Sequence, residues 1–277
     1  MMTRDPEEAA PSTASTRQPP PDGARVLLQV EHITVRFGGI VALDAVSFAV
    51  ERGRVAGLIG PNGAGKTTLF NCLSRLYRYD AGRILFAGHS IDSAPRHAIA
   101  PLGIGRTFQN LALFRSMSVY DNILVGAHCR TRGGLLSDAL RLPLARREER
   151  RAAERADVLV ELLGLSECAR TPAAALPFGT QKRIELARAL AADPQLLLLD
   201  EPAAGLNHAE VEDLGRLIRD IRDRLGVTIL LVEHHMNLVM RVSDQVIALD
   251  FGRKIADGTP EEVPASPEVV RAYLGAT

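Results

Sequence analysis

The segment GPNGAGKTT, residues 60–68, has the residue types and the spacing of a phosphate-binding loop. Gly60, Gly65, Lys66 and Thr67 fill the fixed positions of G-x-x-x-x-G-K-[ST]. The glycines permit backbone angles and a close approach that bring several amide groups around a phosphate chain. We therefore expect the Lys66 ammonium at the β- and γ-phosphates of a nucleotide and the Thr67 hydroxyl on Mg²⁺.

The flanks of this loop predict the strand and the helix that such a loop joins. RVAGLI, directly before it, is typical of a short buried strand, and Leu69, Leu73 and Leu76 recur after it at helical spacing. The phosphates would then lie at a helix N-terminus, which favours anions. A glycine turn followed by a chance Lys-Thr is the alternative, and this context disfavours it. The predicted nucleotide contacts in the loop are Gly60, Pro61, Asn62, Gly63, Ala64, Gly65, Lys66, Thr67 and Thr68.

Two acidic residues far downstream could supply the chemistry of hydrolysis. Asp200 and Glu201 end the run LLLLDE, so both carboxylates would follow a buried strand. There an aspartate can hold Mg²⁺ through water, and the adjacent glutamate can orient or polarise an attacking water. Gln109, in GRTFQNLALF, follows a strand-like segment and could reach the metal and the water. We therefore expect Thr67, Gln109 and Asp200 to hold Mg²⁺, partly through water.

Composition limits the function classes. The 277 residues include 33 basic and 33 acidic ones, and this neutral balance argues against a nucleic-acid-binding surface. No apolar run reaches the roughly 18 residues that a membrane span needs. The three cysteines lack C-x-x-C spacing, so reduced thiols are expected. Residues 1–24 are rich in Pro, Ser and Ala without the apolar segment of a signal peptide, and we expect a disordered tail before one domain of residues 25–277.

The remaining pattern predicts an α/β protein with a helical insertion. Strands are expected at VLLQVEHITVRF, AVSFAV and GRILFAG, with a loop at GGIVALD. Residues from about 109 to 190 form the insertion, in which Ser118 and Asp121 make a capping motif and a long amphipathic helix ends at Gly164. Strands then alternate with helices, which indicates a mostly parallel sheet with ligands at the carboxyl ends of its strands.

Two further clusters could bind ions. The arginines of RREERRAAER are interleaved with glutamates, which favours a solvated helix face over a contact with phospholipid or a partner. His234 and His235 are adjacent, and adjacent residues of a strand point to opposite faces, so they cannot chelate one metal ion. The other histidines lack ligand spacing, and no zinc site is expected.

LPFGTQKRIELARAL, residues 176–190, resembles the signature of the ATP-binding-cassette (ABC) ATPases. That signature, L-S-G-G-Q, opens a helix just upstream of the Asp-Glu strand, and its positions match Leu176, Pro177, Phe178, Gly179 and Thr180. His234 in LLVEHHM is similar to the family's switch histidine. Phe37, 29 positions before Lys66, is similar to the aromatic residue that stacks on adenine. The resemblance covers about residues 27 to 275, with order and spacing kept.

This resemblance implies both a fold and a site. The fold would be the α/β P-loop NTPase fold of the ABC ATPases, with a RecA-like core, an N-terminal antiparallel β subdomain and an inserted α-helical lobe. The cofactors would be ATP and Mg²⁺. Glu201, His234 and Gln109 would be catalytic. Phe178 and Gly179 would contact the nucleotide of a homologous ATPase subunit, in a homodimer or a heterodimer.

The chain departs from the family pattern at three positions. Pro177 stands where the signature usually has serine, so no hydroxyl can reach the partner's nucleotide from there. Thr180 replaces glutamine, and Asn207 replaces the aspartate of the loop after the catalytic glutamate. Proline is tolerated at a helix start, so the amides near Gly179 could still point at phosphate.

A narrower resemblance concerns the transported solute. RTFQNLALF, SVYDNILVGAH, VEHHMNLVM and the ending AYLG are similar to the ATP-binding subunits of branched-chain amino acid importers. Such a subunit would sit at the cytoplasmic face of the membrane and work with two transmembrane permeases, docked near residues 109–125, and with an extracytoplasmic solute-binding protein. The ATPase of a lipopolysaccharide or lipid exporter is the first alternative. A non-transport ABC ATPase acting on ribosomes or DNA is the second, and the absence of tandem cassettes disfavours it.

Overall fold

The computed structural model describes residues 25–107, 111–128 and 143–274. The expected disordered tail, Gln109 and Cys129 lie outside these residues. Within them, no helix combines the length and the apolar character needed to cross a membrane.

The N-terminal part forms an antiparallel sheet of four strands, which confirms the antiparallel β subdomain that the family resemblance implies. In the order β2-β1-β4-β5, its strands are β1 (Val26–Phe37), β2 (Ile40–Glu51), β4 (Ala81–Phe86) and β5 (His89–Ser90). The loop expected at GGIVALD is wrong beyond Gly39. Phe37 pairs directly with Ile40, so the turn contains only Gly38 and Gly39, and the apolar residues that follow extend β2.

A second sheet of six strands forms the core. In the order β10-β9-β3-β8-β7-β6, its strands are β3 (Val55–Ile59), β6 (Ile104–Arg106), β7 (Leu196–Asp200), β8 (Thr228–Val232), β9 (Gln245–Asp250) and β10 (Arg253–Gly258). All neighbours are parallel except β10, which pairs with β9 in a hairpin. Every residue of β3, β7 and β8 is buried. The predicted, mostly parallel sheet is confirmed.

The described helices cover both faces of this sheet and form the lobe. They are α1 (Lys66–Leu73), α2 (Ile99–Leu102), α3 (Val119–Ala127), α4 (Pro143–Leu162), α5 (Phe178–Ala191), α6 (His208–Leu225), α7 (Met236–Val242), α8 (Glu262–Ala265) and α9 (Pro267–Leu274). Helix α1 is shorter than predicted: Leu76 lies beyond it and is 41% exposed. The helix ends there because the backbone N–H groups of Leu76 and Tyr77 both turn back to the carbonyl of Asn71.

Helices α3, α4 and α5 pack together as the inserted lobe. Ile123, Leu159 and Ala187, one from each helix, are fully buried in a shared core. Ser118 caps α3 as predicted, since its hydroxyl accepts the backbone N–H of Asp121 at 3.1 Å. The arginines early in α4 are exposed, whereas Arg155 forms an ion pair with Asp193 at 3.0 Å. The lobe is thereby joined to the segment that leads into β7.

Helices α3 and α5 approach each other so closely at Gly126 that an added methyl group there would destabilise the lobe. A Cβ on Gly126 of α3 would lie 2.1 Å from the carbonyl oxygen of Arg188 in α5. Helix propensity alone predicts that Gly126→Ala stabilises the protein by up to about 1 kcal/mol. Because the contact involves backbone, we instead expect a loss of about 1–3 kcal/mol, the usual cost of overpacking.

Chemical denaturation of Gly126→Ala beside Gly39→Ala tests this expectation. A Cβ on Gly39 meets nothing within 4 Å, so that variant should stay within about 0.5 kcal/mol of the wild type. A Gly126→Ala protein at least as stable as the wild type would show that α3 and α5 do not touch through backbone.

Candidate nucleotide-binding site

The phosphate loop lies between the buried strand β3 and helix α1, as predicted. Gly60 and Gly65 have φ values of 150° and 101°. A Cβ at position 60 would lie 2.2 Å from the carbonyl oxygen of Leu249, and one at position 65 would lie 2.7 Å from that of Ala42. Both positions therefore require glycine, for conformation and for space.

Lys66 begins α1 and is 6% exposed. Its ammonium donates to the carbonyl oxygens of Gly60 at 2.7 Å and Pro61 at 2.9 Å. Burial lowers the pKa of Lys66, and the nearby Glu201 carboxylate opposes that shift. The loop thus wraps around a cation. Thr67 is exposed and Thr68 half-buried in the first turn of the same helix.

An aromatic pair lies near the end of β1. Phe37 is 48% exposed, and its ring meets that of Tyr77 edge to face, with the centroids 5.4 Å apart. The sequence pattern predicts Phe37 at this site but not Tyr77, which is 40% exposed. Position in the chain gave no signal for Tyr77, because its place beside β1 depends on how α1 ends.

Asp200, the last residue of β7, is fixed by an arginine that the sequence analysis missed. The Arg106 guanidinium donates to Asp200 Oδ2 at 2.7 Å, and both side chains are nearly buried. Arg106 also donates to the side chains of Asn71 at 2.9 Å and Ser74 at 3.0 Å, near the end of α1. This ion pair links β6, β7 and α1 at one point. Gln109, three residues after Arg106, lies outside the described residues.

Glu201 and His234 form a close pair at the carboxyl ends of β7 and β8. His234 Nε2 lies 2.6 Å from Glu201 Oε1. Glu201 has a φ of 49°, rare for this residue type, and its N–H donates to the Val232 carbonyl at 2.9 Å. The structure therefore brings together two of the three predicted catalytic residues.

The placement of His234 and His235 within a strand is wrong. Strand β8 ends at Val232, and His235 is the residue that precedes α7. Opposite faces of a strand are thus no reason to exclude a metal. The described residues contain no group of three or more His, Cys, Asp or Glu side chains that could hold one.

The signature segment begins α5, with Pro177 as its N-cap. Phe178 is 45% exposed and lies against Gly205. A Cβ on Gly179 would lie 2.4 Å from Glu210 Oε1, so the Glu210 side chain, which extends from α6, lies against the start of α5. Among the described residues, no hydrogen bond joins this segment to the phosphate loop.

Asn207 caps a helix, a role that the sequence pattern was not used to predict. Its side chain accepts the N–H of Glu210, and the Glu210 carboxylate accepts the N–H of Asn207 in return, which forms a capping box at the start of α6. The spacing N-x-x-E before an amphipathic run could have shown this. Asn207 and the close approach at Gly179 thus share one partner, Glu210.

Comparisons with known proteins agree with this geometry. The family description "ABC transporter" matches residues 43–204, and "Branched-chain amino acid ATP-binding cassette transporter" matches residues 253–277. The chain is 44% identical over 252 residues to the high-affinity branched-chain amino acid transport ATP-binding protein BraF of Pseudomonas aeruginosa, covering 91% of this chain and 99% of BraF. It is also 44% identical over 249 residues to LivG of Escherichia coli K12, covering 90% and 98%.

Solved structures show the same fold. An ATP-binding cassette of an ABC transporter in its ADP conformation matches with a TM-score of 0.78 and 32% identity, covering 91% of this chain and 99% of the other. A nucleotide-free cassette matches with a TM-score of 0.78 and 31% identity, covering 91% and 100%. The implied P-loop fold is confirmed, and the chain belongs to the ABC transporter family as one of its ATP-binding, ATP-hydrolysing subunits.

Proposed function

We propose that this chain powers the import of branched-chain amino acids by hydrolysing Mg²⁺-bound ATP at the phosphate loop. The observation that carries the proposal is the Glu201–His234 pair, 2.6 Å apart, at the same edge of the sheet as the phosphate loop. The relatives named for branched-chain amino acid transport suggest the solute.

Nucleotide binding would use the loop residues 60–68. Helix α1 points its N-terminus at the phosphates, and Lys66, already held among loop carbonyls, would exchange those contacts for phosphate oxygens. The exposed Phe37 ring would stack on adenine, with Tyr77 supporting it from the side. Backbone N–H groups and one cation would together balance the charge of the phosphates.

The oxygen donors around the loop fit Mg²⁺. Among the described residues, Thr67 offers an exposed hydroxyl and Asp200 a carboxylate whose Oδ2 is held by Arg106, and this hard cation prefers such oxygen ligands. Gln109, outside the described residues, would add an amide oxygen, as its place in the sequence suggests. When bound there, Mg²⁺ would supply positive charge that offsets the negative charge developing in phosphoryl transfer. Arg106 would keep the Asp200 carboxylate directed at the site.

Hydrolysis would depend on Glu201 and His234. The Glu201 carboxylate would accept a proton from, or orient, the water that attacks the γ-phosphate. The His234 imidazole, whose Nε2 lies beside Glu201 Oε1, would fix the direction of that carboxylate. It would also lie within reach of the γ-phosphate. Glu201 has a left-handed backbone conformation, which is rare outside glycine and is found mainly where a site requires it.

A second ATPase subunit would complete the site. Its Gly179 and Phe178, at the start of α5, would cover the nucleotide held by this chain, and this chain would do the same in return. Helix α5 has 14 residues, and its first amides are free for an anion because Pro177 caps it without a side-chain hydrogen bond. Closure of the two subunits on ATP would be the force-generating step.

A groove between the core and the helical lobe would receive the permease. Its volume is about 450 Å³. Exposed apolar side chains border it: Leu76 at 41%, Phe114 at 49% and Val125 at 38%. The groove adjoins Phe114 and Val125, which belong to the predicted docking segment, and an apolar helix end of a transmembrane subunit would fit it. The chain would thereby be held at the cytoplasmic face of the membrane.

Glu201→Gln should bind ATP normally but hydrolyse it at least about 10²-fold more slowly, because the general base is lost. It should also accumulate as a closed dimer with ATP, since hydrolysis reopens the dimer. Lys66→Ala is the contrast: it should lose tight ATP binding in a direct binding assay. Wild-type turnover in Glu201→Gln would show that Glu201 does not act on the water.

Val125→Glu tests the groove, with Val158→Glu as its matched control. Val158 is 50% exposed on α4 and does not border the groove. We expect Val125→Glu to keep the ATPase activity of the isolated subunit but to lose copurification with the permeases. A desolvated unpaired charge in an interface costs several kcal/mol. Equal copurification by both variants would place the permease elsewhere.

Uptake measurements test the solute. Deletion of the gene should abolish uptake of labelled leucine and valine but spare an unrelated sugar, and the wild-type gene, unlike Glu201→Gln, should restore it. Neither the ATP sites nor the groove would contact the solute, so specificity would reside in the other subunits. Loss of urea uptake alone would change the solute and keep the importer. Normal uptake of every solute, with an envelope lipid defect, would identify an exporter.

A further inference from the structure

Glu233 is a buried carboxylate that the proposed mechanism does not use. It follows β8 directly and is 2% exposed. A charged group in such a place requires hydrogen-bond partners. Glu233 Oε1 accepts the backbone N–H of Ala203 at 2.5 Å, and Oε2 accepts the backbone N–H of His234 at 3.0 Å. The N–H of His235 lies 3.4 Å from the same Oε2.

These contacts close a ring between the loops that follow β7 and β8. The last pair of the two strands is Asp200 with Val232. Beyond it, the Glu201 N–H donates to the Val232 carbonyl at 2.9 Å, and His234 Nε2 lies 2.6 Å from Glu201 Oε1. The Glu233 side chain continues the connection where strand pairing stops, since it accepts the N–H of Ala203 in one loop and those of His234 and His235 in the other.

We propose that Glu233 is a positioning residue that holds His234 against Glu201. The inference rests on the proposed catalytic parts of those two residues. Two oxygens, each accepting from a different loop, fix the backbone of His234 relative to that of Ala203, two residues after Glu201. The His234 imidazole is thereby held beside Glu201, because the loop that carries it is restricted to one conformation. A carboxylate suits this task because both of its oxygens only accept.

Glutamine at this position keeps the shape and loses one acceptor. Its NH₂ group would face a backbone N–H in one of the two loops, so one loop would move away from Glu233. Displacement of catalytic groups by about 1 Å can cost about 10²-fold in rate. Because neither Ala203 nor Glu233 belongs to the phosphate loop, ATP affinity should not change.

The first experiment compares Glu233→Gln with Asp244→Asn. The Asp244 carboxylate also accepts a backbone N–H, that of Val55 at 2.8 Å, but at the amino ends of the strands. We expect Glu233→Gln to lower kcat at least about 10-fold with an ATP Kd within about twofold of the wild type. Asp244→Asn should lose stability and keep kcat. Unchanged kcat in Glu233→Gln, or an equal kcat loss in both variants, would overturn the inference.

A double-mutant cycle separates positioning from general structural damage. In the His234→Ala background, Glu233→Gln should cost less than about twofold further, because its effect is exerted through His234. Losses that multiply would overturn the inference. If Glu233→Gln does not fold by circular dichroism, Glu233→Asp replaces it, since the shorter side chain keeps the charge but cannot span both loops. A wild-type kcat there would overturn the inference as well.

Comparison of Glu233→Gln with Glu201→Gln distinguishes this inference from the proposed function. If Glu201→Gln hydrolyses ATP at the wild-type rate, the proposed mechanism fails, whatever Glu233 does. If Glu201→Gln is slow and Glu233→Gln is not, the mechanism stands and only the positioning part of Glu233 fails.

Discussion

Parallel pairing of β3, β8 and β7 is the constraint on which the rest of the structure depends. Leu58 of β3 and Asp200 of β7 both pair with Val232 of β8, so the three strands end side by side. Each strand is buried along its whole length, and a shift of one residue would exchange the faces of its side chains. Register therefore places the phosphate loop, Glu201 and His234 at one edge. Parallel strands carry their binding loops at that edge as a rule.

The carboxylates at this edge of the sheet are each held by a specific hydrogen-bond or ion-pair partner. Arg106 binds Asp200, His234 binds Glu201, and backbone N–H groups of two loops bind Glu233. Asp200 and Glu233 are nearly buried, so their partners are necessary, because an unpaired charge in such a place is costly. The Glu201–His234 pair is more exposed. All three carboxylates are oriented by a group that follows or belongs to a different strand, which favours a rigid site. The pairs serve geometry as much as stability.

Sequence reasoning succeeded where the signal is local and failed where it depends on distant segments. The phosphate loop, the Asp200–Glu201 strand end and the cap at Ser118 are short patterns with a direct structural meaning. Arg106 meets Asp200 across 94 residues, and Glu233 meets Ala203 across 30, so no local pattern marks them. The predicted ends of elements were wrong at turns. Strand β2 begins earlier than predicted, α1 ends before Leu76, and His234 lies beyond the end of β8. Hydrogen bonds within each turn decide where an element ends, and the sequence pattern does not show them.

Arg106 is the point at which the nucleotide site and the groove share a side chain. Its guanidinium holds Asp200 and the end of α1, and the same residue lines the groove beside Arg188 and Val125. Under the proposed function, Mg²⁺ at Asp200 and a permease helix in the groove would act on the two sides of one ion pair. Coupling between two sites is reciprocal, so whatever ATP does to the fit of the permease, the permease must do to the affinity for ATP. Under that proposal, the buried pair, which also binds α1, would transmit such a change through rigid elements, because its separation would cost the desolvation of two charges.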